Sequence, residues 1–331
     1  MAVTAYLYDV DGRDREVELG PDTLASLGDR HLLWIDAATR REDELRPLAE
    51  TLSLEPATLH SLLRPEGQQI DGYNGYTHFS VHTAPGTLVD QEHAPNGRPV
   101  HGGTRVDFLV CDKWLLTVHV GEIAFINAFR DQDEAETTLG TLTPYDFAAS
   151  LLDAHLEAYF AEVARIESLI DRLDEQALIQ PSSRTLLGRM VSLRRRVSRL
   201  RVLLSAQRGI FYGLSRPDLQ PVSKAGASAH FQVLVGRFER AIDEVEHTRD
   251  LVVGSFELFA TRTAQQTNDL VKVLTFLTAV IGACAAIAGI FGMNFATGFF
   301  ATGDAGFYIT IGSLLAIIIL ATLVARWRSW I

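Results

Sequence analysis

The stretch VLTFLTAVIGACAAIAGIFGMN, residues 273–294, decides the fold. Val273 to Phe291 carries no charged residue, and at about 1.5 Å per residue a helix of that length is roughly long enough to cross the hydrocarbon core. A second uncharged run, Ala305 to Ala325, follows a short polar loop. Two spans so close together make a helical hairpin with both ends on one side of the membrane, so the long segment before it belongs on that side too. The loop Phe295 to Asp304 has no Lys or Arg, whereas Arg262 and Lys272 precede the first span and Arg326 and Arg328 follow the second. An inner excess of basic residues puts both termini in the cytoplasm, with Trp327 and Trp330 as interfacial anchors.

The run ends in Gly292-Met293-Asn294. An Asn at the mouth of a membrane helix presents an amide acceptor and two donors without charge. Mg²⁺ dehydrates reluctantly, so a ring of such amides suits a hydrated divalent ion. Gly and Asn also end helices for purely structural reasons, and the three residues alone leave both readings open.

The wider context separates them. Thr267-Asn268-Asp269-Leu270-Val271-Lys272-Val273-Leu274-Thr275 enters the apolar run, and Ala288-Gly289-Ile290-Phe291-Gly292-Met293-Asn294-Phe295 leaves it. This resembles the pore helix of the CorA superfamily of divalent-cation transporters, in which an Asn precedes a Met/Val-Lys-x-Leu-Thr segment and a Gly-Met-Asn signature closes the span. Further stretches resemble the cytoplasmic domain of that superfamily: Leu33-Trp34-Ile35-Asp36, Leu54-Glu55-Pro56 with Leu59, Ile70-Asp71 with Tyr73 and Tyr76, and Leu115-Leu116-Thr117-Val118-His119.

On the first span, Asn268, Thr275, Gly282 and Gly289 recur every seven residues, and Val271, Thr278, Ala285 and Gly292 run beside them. Small residues let membrane helices approach closely, and they also leave room for a water-filled pore. Asn268 and Asn294 at the two ends favour the pore, because an amide facing lipid is costly. The resemblance carries pore positions onto Asn268, Val271, Leu274, Gly282, Ala285, Gly292, Met293 and Asn294. Leu274 and Val271 then form an apolar constriction that gates by closing or dewetting.

Two departures bear on the ion. Magnesium channels of the superfamily have stalk carboxylates that bind regulatory Mg²⁺ between subunits. Counting back from Asn268, Glu257 matches one of these, but the other falls on Val233; Asp243 and Glu244 are the nearest substitutes. The loop after Asn294, FATGFFATGD, lacks the Met-Pro-Glu-Leu of typical magnesium members and has Asp304 as its one acid. That glycine-rich, charge-poor loop resembles the zinc-transporting ZntB-like branch.

The chain has 331 residues, a formal net charge of -11 and two cysteines, Cys111 and Cys284. Its length accommodates a soluble domain before the hairpin. The acidic balance disfavours nucleic acid as a partner, and two such cysteines make no disulfide framework. Met1 onward shows no basic region leading into an apolar run, so no signal peptide is expected. Without a phosphate loop, nucleophile elbow or HExxH motif, nothing supports an enzyme or a bound cofactor.

Residues 1–143 alternate strand and helix patterns. Strands are expected at Ala2–Val10, His31–Asp36, Tyr76–His82, Thr104–Cys111 and Trp114–Val120, with a long loop from Thr83 to Gly103. Helices are expected at Asp43–Leu52 and, with Pro56 in its first turn, Glu55–Leu63. His78 and His82 share a strand face, but their spacing is wrong for a zinc site. From Pro144 the texture becomes helical: Tyr145 to Gln180, Arg184 to Leu214 after a Ser182-Ser183 cap, and one unbroken helix from about Ala227 to Phe291, roughly 95 Å long. Arg194, Arg195, Arg196, Arg199 and Arg201 are expected to pair with Glu162, Glu167, Asp171, Asp174 and Glu175 on the preceding helix.

The expected protein is thus an α+β membrane protein: a cytoplasmic α/β domain (1–143), a helical hairpin (144–225), a stalk helix (226–270), a pore helix (271–294), an outer loop (295–304) and a second span with its tail (305–331). The resemblance implies a homopentamer in the plasma membrane, surrounded by lipid, with Mg²⁺ or Zn²⁺ as cargo. A membrane scaffold or sensor that keeps the fold but conducts little is the rival from another class.

Overall fold

The structure is a computed structural model, and it describes residues 3–9, 14–28, 30–64, 67, 70–73, 75–84, 103–130, 138–179, 184–216, 226–293 and 303–328. Its contacts divide the chain into two units, Met1–Arg172 with Leu187–Val253, and Leu173–Leu186 with Gly254–Ile331.

The first unit is built on a seven-stranded sheet in the order β2-β1-β3-β7-β6-β5-β4. The strands are β1 (Val3–Asp9), β2 (Arg15–Glu16), β3 (His31–Ala37), β4 (Ile70–Gly72), β5 (Thr77–His82), β6 (Arg105–Val110) and β7 (Trp114–Val118). All neighbours are antiparallel except β3 and β7, whose Ile35 and Leu116 lie opposite each other in a parallel pair. Short helices α1 (Pro21–Ala25), α2 (Glu42–Thr51), α3 (Pro56–Leu63) and α4 (Ala124–Arg130) fill the connections. β3, β6 and β7 are buried almost throughout. Their near-continuous apolar runs follow from having both sheet faces covered.

One face packs Leu33, Ile35, Leu109, Leu116 and Val118 against Leu45, Leu48 and Leu52 of α2 and Leu62 of α3. The other meets α5 (Pro144–Ile179). There the Trp34 and Phe147 rings cross edge-to-face at 5.4 Å, and Tyr145 and Tyr159 donate to Val110 O and His82 O at 3.1 and 2.7 Å. Aromatic side chains thus supply both buried area and hydrogen bonds to strand carbonyls.

The helix expected over Arg184–Leu214 is two, α6 (Arg184–Ala206) and α7 (Arg208–Leu214). The break falls at Gln207, a fully buried side chain. Its Nε2 lies 3.0 Å from His82 O and 3.1 Å from the Tyr159 hydroxyl, and the His155 Nε2–H donates to its Oε1 at 3.0 Å. This buried amide joins sheet, α5 and the α6–α7 corner.

Burial pushes the His155 imidazole down to about 4, against the opposing hydrogen bond that it donates to Gln207. His82 is also lowered, by burial and then by the Arg105 charge. The unfolded chain therefore binds protons first on acidification, so stability is full above about pH 6.5 and falls between there and pH 4, by roughly 3 kcal/mol for His155 alone. The melting midpoint is expected to drop between pH 7 and pH 5, and to drop less in His155→Leu; equal drops would refute this account.

Among the described residues, the expected charge pairing between α5 and α6 holds at one place. Arg196 pairs with Glu162, whereas Arg201 reaches Glu246 on the long helix and the Thr248 hydroxyl donates to Glu167 at 3.0 Å. Arg194, Arg195 and Arg199 are exposed. Antiparallel register, invisible in composition, decides which opposite charges meet.

The long helix, α8, runs unbroken over Ser228–Phe291. The left-handed φ of 75° at Gly226 turns the chain into it. The second unit comprises the tip of the α5–α6 pair, α8 from Gly254 onward, and α9 (Gly303–Trp327). Leu173, Ala177 and Leu186 of the tip are buried, as is Ser255 of α8. Both α8 and α9 contain windows long and apolar enough to span a membrane.

Candidate ion pathway along the long helix

In α8 beyond Lys272 the partly covered side chains are Phe276, Val280, Cys284 and Ile287, and α9 answers with Thr310, Leu314, Ile317, Ala321 and the buried Ala325. Spacings of three and four on both helices make this an ordinary antiparallel seam. At 100° per residue, Thr275, Thr278, Gly282, Ala285 and Gly289 fall outside the seam, on another side of α8. All five are exposed, as are Asn268, Val271 and Leu274. Within one chain, then, the row of small and polar residues is left uncovered on the side away from α9, and the bulky Leu270, Leu277, Ile281 and Ile290 are exposed as well.

The helix closes just before the Gly-Met-Asn signature. The Gly292 N–H still donates to Ala288 O at 3.0 Å, and the Met293 N–H donates one residue short, to Ile290 O at 3.2 Å, the tightened last turn of a helix end. Met293 is half-exposed. Asn294, the outer loop up to Thr302, and Trp330 lie outside the described residues.

The candidate regulatory carboxylates Glu257 and Asp243 are both exposed on α8. Among the described residues no three His, Cys, Asp or Glu side chains gather closely enough to hold a metal. Val233 is 72% exposed in the wall of an open groove of about 1030 Å³ between α4, α5 and α8. The acids of that wall are engaged: Asp146 with His230, and Asp153 and Glu157 with Arg237.

His78 is tied into the sheet core, its Nε2–H donating to Asp107 at 2.9 Å. Asp107 also receives Arg105 and Arg40. Nothing in composition or periodicity pointed to that cluster. The one hint was the presence of an Asp and an Arg inside an otherwise apolar strand pattern.

An α/β domain ahead of a 64-residue helix and a closing apolar hairpin define a membrane protein with a large extramembrane domain. The family described as CorA-like Mg²⁺ transporter protein matches residues 29–327, and the chain belongs to it. It is 32% identical to the cobalt/magnesium transport protein CorA of Thermotoga maritima over 146 residues, 44% of this chain and 41% of that protein, so the match spans less than half of that relative. The complete structure of the CorA magnesium transporter from Methanocaldococcus jannaschii superposes with a TM-score of 0.78 at 20% identity, covering 100% of this chain and 99% of that one. The cytoplasmic domain of ZntB from Vibrio parahaemolyticus gives 0.62 at 10% identity, covering 80% and 100%. At these identities the two structures speak for the fold alone.

Proposed function

We propose that copies of this chain, five in number, surround a central pore through which Mg²⁺ enters the cell, with the uncovered row of α8 lining the pore. The observation that supports this most is the row of small and polar residues on α8, which stays exposed on the side away from the seam with α9 and is covered by none of the described residues. Gly292, Met293 and Asn294 form the outer mouth, where the Asn294 amides hold the ion through its water shell. Asn268 marks the inner end. Val271 and Leu274, 52% and 63% exposed in the single chain, narrow the pore to an apolar constriction. The membrane potential drives entry with about 2.3 kcal/mol per charge per 100 mV, doubled for a divalent ion. Both termini lie in the cytoplasm on this reading, and Glu257 and Asp243 are the carboxylates available for regulation.

Zn²⁺ transport, with or without proton coupling, is the second reading. Val233 supports it, since an exposed valine stands where a regulatory carboxylate is expected. A scaffold that conducts neither ion is the third.

Uptake into liposomes holding the purified protein separates them. Mg²⁺ flux is expected, and Asn294→Ala is expected to lower it about tenfold, the worth of roughly one lost hydrogen bond. Zn²⁺ flux that grows with an imposed proton gradient would move the protein to the second reading. Absence of flux for both ions from a folded oligomer would leave the third.

A further inference from the structure

Alongside the α8–α9 seam runs a groove of about 450 Å³, walled by Phe276, Ala279 and Ala283 on α8 and Leu320 and Val324 on α9, with Arg328 at one end. Its wall offers no hydrogen-bonding side chain apart from that arginine. Such a surface, placed at the depth of the hydrocarbon layer, excludes water and calls for an apolar filling.

Arg328 supplies the second half of the recognition. It follows the last turn of α9, with its backbone N–H on Val324 O at 3.0 Å. Its side chain is exposed, and no carboxylate among the described residues pairs with it. The acid at the adjoining end of the first span, Asp269, is taken by Lys272 at 2.9 Å. Trp327 beside it is 85% exposed, as suits the headgroup level. A guanidinium is a planar fork matched to a phosphate diester. A basic group at the mouth of an apolar cleft between membrane helices is the arrangement that selects anionic lipid headgroups.

We infer that this groove is a binding site for an anionic phospholipid of the surrounding bilayer, one acyl chain lying along Ala279, Ala283, Leu320 and Val324 and the phosphate on Arg328. A net negative headgroup is preferred because a zwitterionic one brings its own cation to the same phosphate. The small side chains of Ala279 and Ala283 leave the space the chain fills. The site is independent of the transported ion.

The test uses the full-length protein in detergent, without divalent ions, exposed to phosphatidylglycerol or to phosphatidylcholine of the same chains. Native mass spectrometry counts retained lipids, and size-exclusion chromatography checks the assembly. Wild type is expected to bind phosphatidylglycerol about tenfold more tightly than phosphatidylcholine. Arg328→Gln is expected to abolish that preference and Arg328→Lys to keep part of it. Ala283→Leu, which fills the cleft, is expected to lower retention of both lipids with the assembly unchanged. Equal binding of the two lipids by wild type, or unchanged phosphatidylglycerol binding by Arg328→Gln, overturns the inference. So does an Ala283→Leu protein that changes oligomer size while retaining lipid as wild type does, since the groove then seats another copy of the chain.

Discussion

Gly282→Phe is expected to leave the chain folded and assembled while ion flux falls below detection. A Cβ built at Gly282 meets no atom within 4 Å, so the single chain has room for a larger side chain there. Removing a mid-helix glycine also improves helix propensity by a few tenths of a kcal/mol. The cost arises only where copies meet. Around a common axis, several phenylalanines projecting from the same level would fill a passage that glycines leave open. Liposome uptake checks this, with size-exclusion chromatography to establish assembly. Leu277→Phe, which changes an exposed position (51%) well off the proposed row, should conduct nearly as wild type. Wild-type flux through Gly282→Phe would move the pore to another face of α8.

Asp107→Ala is expected to destabilise the α/β unit by about 3–5 kcal/mol, because it removes the carboxylate on which two nearly buried guanidinium groups converge. Asp107 has no exposed side-chain surface, and its partners Arg40 and Arg105 are 10% and 6% exposed. The carboxylate accepts from His78 at 2.9 Å, from Arg105 at 2.6 Å and from Arg40 at 2.5 Å. The two arginines reach onward, Arg40 to Leu62 O and Arg105 to Gly67 O, tying α3 and the chain after it to β6. Burial alone would raise the Asp107 carboxyl. The His78 and Arg105 hydrogen bonds and the two guanidinium charges outweigh it and bring the group down to about 2. Its stabilisation is therefore fully present above about pH 4 and lost as pH falls toward 2. Thermal melting at neutral pH reads the loss. A midpoint within a degree or two of wild type would show that the charges relax to water.

Most of the framework was legible because periodicity survives without context. The expected strands at 31–36 and 114–120 appear within two residues of their bounds, as do the helices beginning near Asp43 and Pro56. The long helix α8 was readable because no proline or turn signal interrupts it. The break at Gln207 was not legible: glutamine is a good helix former, and the groups that hold it lie 52 and 125 residues away in sequence. β2, at two residues, and β4, at three, are too short to carry an alternation. That Thr275, Gly282 and Gly289 stand on one side of α8 was readable from spacing alone, since helical geometry decides which residues stand together. Which face α9 covers required the second helix to be in place.

The unbroken course of α8 has a consequence for how copies would be arranged around the proposed pore. A straight helix advances 100° per residue, so a row repeating every seventh residue slips by about 20° per repeat. From Asn268 through Thr275 and Gly282 to Gly289 that amounts to roughly 60° of drift. With neither a proline nor a break to reset the phase, parallel copies around the proposed pore would keep the row turned toward one axis by winding around each other to the left. In such an assembly, any rotation of the helix bases that tightened or relaxed the winding would change which of Leu274, Thr278 and Gly282 stands nearest the axis.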